Sequence, residues 1–161
     1  MENRELIRKL RHNIYLSGIG VILLGFWCCV KIFISVYLSN GGLYSVEIEN
    51  SDNSAIELLM LIMTVMISVI IMAVHLFVGV NAMKAGKKTN PKKSYLIVAG
   101  LMALSTATSI PPYLRLVRED LNQLDVVMAS FLVDSTFIFI LFDIIYSSIR
   151  IEKITKIKKE L

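Results

Sequence analysis

Four stretches of the chain are apolar almost without interruption, and the polar residues gather between them. A helix that crosses a bilayer needs about 20 mostly apolar residues. The pattern predicts spans at about residues 14–38, 55–83, 94–110 and 126–148. Helices meet the demand that every backbone donor and acceptor be paired within lipid. A transmembrane barrel would show many short alternating segments instead, and these runs are continuous. The predicted fold is an all-α integral membrane protein, a four-transmembrane-helix bundle forming one domain over residues 1–161.

The segments between the runs carry helix-end signals. Ser54-Ala55-Ile56-Glu57 reads as a capping box at the start of span 2. Gly86 is placed to stop that span, and Asn90-Pro91 supplies a cap and a first helical proline for span 3. Asn40-Gly41-Gly42 marks a turn after span 1. Tyr44, Val46 and Ile48 then alternate with Ser45, Glu47 and Glu49, a weak strand signal in an ordered loop over 39–54. Pro111-Pro112 breaks span 3. Beyond it, Tyr113, Leu116, Val117, Leu121 and Leu124 share one face, which predicts a short interfacial helix over about 112–122. The rival is a kinked extension of span 3 out of the bilayer.

Charge orients the spans. Fourteen of the seventeen basic residues lie before span 1, between spans 2 and 3, or after span 4. The loop between spans 1 and 2 has no basic residue and carries Glu47, Glu49 and Asp52. By the positive-inside rule both termini are cytoplasmic. The tail over 149–161 places Ile151, Ile154, Ile157 and Leu161 at helical spacing among lysines. That pattern allows contact with anionic lipids. The simpler reading is that these charges only enforce topology. The first apolar run is longer than a signal-peptide core and no A-x-A-like site follows it, so it reads as a permanent span of a multi-pass cell-membrane protein.

Composition agrees: 55% of the residues are hydrophobic and 19% charged, against about 25% charged in soluble domains. Mean hydropathy is +0.66. No basic surface interleaved with aromatics suggests nucleic acid. Cys28 and Cys29 are adjacent in span 1, where helical side chains point apart, and they read as small packing residues without redox or metal chemistry.

Ionisable residues within lipid are costly and usually face the bundle interior. Here they are Lys31, His75, Asp134 and Asp143. Lys31 and Asp134 fall in the outer halves of spans 1 and 4, close enough in depth for a lysine stem to bridge. His75 and Asp143 share a depth in the inner half. The two aspartates lie half a turn apart on span 4, which excludes a carboxylate dyad. Glu57, Thr64, Ser68, His75 and Ala82 form a stripe on span 2 with Gly79 beside it. Such a stripe is a helix-packing seam or, more sharply, a proton or ion path through His75 and Asp143. Gly18 and Gly25 share a face of span 1, with Ser17 and Gly20 nearby; Ala99, Ala103 and Thr106 repeat a small-residue step on span 3.

No catalytic constellation, metal-ligand set or cofactor motif is present in the sequence. The expected function is a non-enzymatic accessory or interaction subunit, as a homo-oligomer or with a membrane-protein partner in the lipid bilayer. The alternative is a small transporter or channel using His75 and the span 4 acids. A third reading, an enzyme acting on lipid at Arg115 and Arg118, has less behind it.

Overall fold

The computed structural model describes residues 2–37, 53–89, 91–111 and 124–160. Among them are four helices and no strand: α1 (Glu2–Tyr37), α2 (Asn53–Gly86), α3 (Ser94–Thr108) and α4 (Leu124–Glu160). The expected loop over 39–54 and the interfacial helix over 112–122 fall, all but the last two loop positions, outside the described residues. So do the side chains of Ser54 and Glu57, although the backbone is already helical from Asn53.

Three segments are long and apolar enough to cross a membrane: Arg4–Ile34, Leu58–Gly86 and Met128–Ile157, with mean hydropathies of 2.1, 2.7 and 2.0. Helix α3 is apolar but has 15 residues, about 22 Å of rise against a hydrocarbon core of about 30 Å. Large apolar side chains point outward along all four helices, among them Leu23, Ile97 and Phe139 at 66%, 70% and 75% exposure. In water a surface of this kind would drive association; in lipid it is a solvated face.

Helix α1 begins twelve residues ahead of the expected span, because Leu10 and Ile14 continue the buried face of Val21 toward the N-terminus. Helix α4 likewise runs on through the basic tail to Glu160. The end of α2 corrects an expectation. The helix ends at Gly86, but not through a left-handed glycine: the closing residue is Lys88, which takes the left-handed conformation with φ 63°. The Thr89 amide donates to the Lys84 carbonyl at 3.0 Å and the Lys88 amide to Ala85 at 3.4 Å, a Schellman closure with lysine where glycine is usual. Gly86 serves contact instead. A Cβ there would stand 2.7 Å from the Arg11 carbonyl and 2.8 Å from Tyr15 Cβ.

The entry to α3 is also corrected. Pro91 lies three residues before the first helical residue, Ser94, rather than at it. The buried Asn81 of α2 explains the offset: its Oδ1 accepts the Lys92 amide at 3.2 Å, while its Nδ2 donates to Phe77 O at 2.7 Å. The chain is thereby held against α2 before it turns into α3, where the Tyr95 and Leu96 amides donate to Lys92 O and Lys93 O.

The chain divides into two compact units. The first comprises Met1–Val21 and Phe77–Leu161. Its core holds Ile14, Val21, Val78, Ala82, Ala99, Leu141 and Ile144, and α3 packs along α4. Helices α1 and α2 approach backbone to backbone, since a Cβ on Gly18 would lie 2.8 Å from Gly79 O. The second unit, Ile22–Leu76, is a pair formed by the remaining parts of α1 and α2. There the ring of His75 covers Gly25, where a Cβ would stand 2.5 Å from His75 Cβ. Lipid solvates a leucine as well as another leucine does, so helix association rests on such close approaches and on polar contacts.

Candidate functional site

Some polar side chains of the first unit tie one helix to another. Asp143 is half-buried on α4. Its Oδ2 accepts a hydrogen bond from Ser17 Oγ of α1 at 2.8 Å, and its Oδ1 accepts one from Ser147 Oγ at 3.3 Å. Ser147 lies one turn further along α4, at the (i, i+4) spacing that brings side chains together on one face, and it is fully buried. Nearer the basic end, Tyr95 of α3 is buried and its hydroxyl shares a 2.8 Å hydrogen bond with Ser148 Oγ of α4. Outside the core, Lys93 Nζ meets Glu152 Oε1 at 2.9 Å. The hydrogen bond to that carboxylate, and then its charge, hold the Lys93 ammonium above the ordinary lysine range.

In the second unit the polar side chains of α2 turn back onto their own helix. Thr64 Oγ1 donates to Met60 O and Ser68 Oγ to Thr64 O, each at 2.8 Å. His75 Nδ1 lies 2.8 Å from Ile71 O, a contact in which the nitrogen donates. Back-bonding of this kind satisfies a hydroxyl within lipid without a second helix. Thr64, Ser68 and His75 are all buried. Cys29 Sγ donates weakly to Ser68 O at 3.5 Å, and the two cysteines form no disulfide.

The expected site residues fall in both units. Asp143 and Gly79 belong to the first unit, as does the half-buried Asp134. Thr64, Ser68, His75 and the half-buried Lys31 belong to the second. The side chain of Glu57 lies outside the described residues. No group of three or more His, Cys, Asp or Glu side chains suited to a metal ion occurs among the described residues.

Several residues escaped the sequence reading. In the sequence Ser17 is a small residue on a packing face, with nothing to mark it as the partner of an acid. Ser147 could have been found from its spacing to Asp143. Asn81 stands in the apolar run Val78–Met83 and could have been flagged as a polar residue within a span. Nothing in the sequence pairs Tyr95 with Ser148. No known protein family, characterised protein or solved structure matches the chain.

Proposed function

We propose that the chain is a non-enzymatic four-span protein of the cell membrane that serves as an accessory or interaction subunit of a membrane assembly. The observation that carries this reading is the use made of its polar groups. Asp143 is engaged by Ser17 and Ser147, and Thr64, Ser68 and His75 bond to their own helix. These groups either fasten one helix to another or satisfy themselves within their own, and they leave broad apolar faces for lipid, a second copy or a partner's helices. The alternative, transport, would route protons or ions through His75 and Asp143.

Four crossings are supported by the placement of α3 against α4. Tyr95 near the start of α3 meets Ser148, and Lys93 meets Glu152, both toward the C-terminal end of α4. If α4 crosses the bilayer, the segment from Ser94 to Leu124 must cross it in the opposite sense. Local thinning of the bilayer accommodates the short α3. Both termini are then cytoplasmic, and the basic tail faces the anionic inner leaflet.

The test is purification of the full chain in mild detergent together with a flux assay in reconstituted vesicles. A subunit co-purifies with a partner or with itself, and His75→Leu or Asp143→Asn alters assembly only as far as it lowers stability. A pH-dependent flux lost on His75→Leu, with thermal stability unchanged, overturns the reading in favour of transport.

A further inference from the structure

At the basic end of the first unit, Arg11 of α1 points its guanidinium into the protein. Nε and Nη1 have essentially no accessible surface and no hydrogen-bond partner among the described residues. Guanidinium is always charged and carries its donors in a planar fork matched to carboxylate and phosphate oxygens. Arg11 as a residue is half-buried, and holding part of a guanidinium away from water without an acceptor is costly, a cost that a nearby anion would offset.

The surroundings have the right sign. Arg11 lines a cavity of about 890 Å³ together with Arg8, His12, Lys87 and Lys88, and no acidic side chain among the described residues lines it. A second cavity of about 690 Å³ on the other side of Arg11 contains Glu152, but that carboxylate is engaged by Lys93 on the exposed surface. Lys88 and Thr155 reach both cavities. Lys88 is carried there by the left-handed closure of α2, and Lys87 lies over the Tyr15 ring at 5.1 Å. The cluster therefore draws on the first turns of α1, the α2–α3 turn and the last turns of α4.

We propose that this Arg11-centred cleft is a binding site for a phosphate-bearing anion, either the headgroup of an anionic phospholipid or a free phosphate. The larger cavity is lined by no lysine of the tail, and the proposal does not depend on whether the protein is a subunit or a transporter. Arg11 contributes a guanidinium charge to the lining, and Lys88 supplies a second positive charge from the facing turn.

The experiment uses the full chain purified in neutral detergent, with melting followed after addition of phosphatidylglycerol, phosphatidylcholine or inorganic phosphate, and bound lipid counted by native mass spectrometry. Phosphatidylglycerol is expected to raise the Tm and to be retained, whereas zwitterionic phosphatidylcholine is not. A rise with inorganic phosphate alone assigns the site to a free phosphate. Arg11→Gln should weaken the response by at least about tenfold in the concentration required, and should not lower the Tm in the absence of anion, because it removes a buried charge that has no acceptor. Lys88→Gln, on an exposed turn, should weaken the response as well and covers the case in which Arg11→Gln does not fold. Lys153→Gln in the tail should leave it unchanged. The proposal is overturned if neither anion raises the Tm, if Arg11→Gln and Lys88→Gln respond as the parent does, or if Lys153→Gln loses as much as Arg11→Gln, which would indicate diffuse attraction.

Discussion

Ser17 donates a 2.8 Å hydrogen bond to Asp143, and through it α1 is tied to α4 across 126 residues of sequence. The other carboxylate oxygen is held more loosely, at 3.3 Å, by Ser147 of the same helix. The inter-helix bond is therefore the stronger of the two and fixes the rotation of both helices about their axes.

Breaking that bond should cost about 1 kcal/mol, the scale of a hydrogen bond between helices in lipid. Ser17→Ala and Asp143→Leu are each expected to destabilise, and a double-mutant cycle on the purified protein should return a coupling of that size. Asp143→Asn keeps an acceptor oxygen and should lose less than Asp143→Leu. Strictly additive losses would mean that Ser17 and Asp143 act independently.

The glycines divide by what a methyl group would meet. At Gly18 and Gly86 it would strike backbone of the opposite helix at 2.8 Å and 2.7 Å, whereas at Gly100 nothing lies within 4 Å. Backbone yields less readily than a side chain, so Gly18→Ala and Gly86→Ala should each cost about 1–3 kcal/mol through overpacking. Gly100→Ala should raise stability by up to about 1 kcal/mol, the helix-propensity difference between the two residues. Thermal melts of the three variants in one detergent test the contrast. Equal behaviour of Gly86→Ala and Gly100→Ala would remove the close α1–α2 approach.

Lys88 sits at φ 63°, a region that costs a residue with a Cβ about 1–2 kcal/mol. Lys88→Gly relieves that cost but frees the unfolded chain, leaving an expected gain of about 0.5–1 kcal/mol in anion-free detergent. Lys88→Val should lower stability, because a β-branched residue fits the left-handed region poorly. The same ordering should hold in denaturant titrations. A loss on Lys88→Gly would show that the lysine stem contributes packing that outweighs the strain.

The long helices were legible because lipid leaves a continuous apolar run few alternatives. Their ends were less so. A glycine at position 86 looks the same in sequence whether it stops a helix or admits another backbone, and only the approach of Arg11 and Tyr15 distinguishes the two. Asp143 was recognisable as a polar residue within a span, but its partner depended on the mutual rotation of two helices at opposite ends of the chain. The stripe on α2 could be drawn from spacing alone. That its hydroxyls bond to Met60 and Thr64 of the same helix follows from side-chain torsions that spacing does not encode. Arg11 is, in the sequence, one of the basic residues preceding span 1, and the burial of its Nε and Nη1 without a partner among the described residues is a product of the tertiary packing.

The proposed orientation makes the last prediction. The last turn of α2 and the α2–α3 turn carry Lys84, Lys87, Lys88, Lys92 and Lys93, whereas the loop between α1 and α2 has no basic residue. Translocating the first of these segments is the less favourable event, so it should stay on the cytoplasmic side. Arg8, Lys88 and Thr155 line one cavity, which requires the start of α1, the α2–α3 turn and the last turns of α4 to share that side. With Cys28 and Cys29 replaced by alanine, single cysteines can be introduced at Ser45, Asn53, Lys88 and Lys153. In intact cells an impermeant thiol reagent should modify Ser45→Cys and Asn53→Cys, and reach Lys88→Cys and Lys153→Cys only after the membrane is opened. Modification of Lys88→Cys in intact cells would reverse the orientation. Modification of Lys153→Cys with Lys88→Cys still protected would mean that the chain crosses three times and that the α3 segment does not span, against the contacts of Tyr95 with Ser148 and of Lys93 with Glu152.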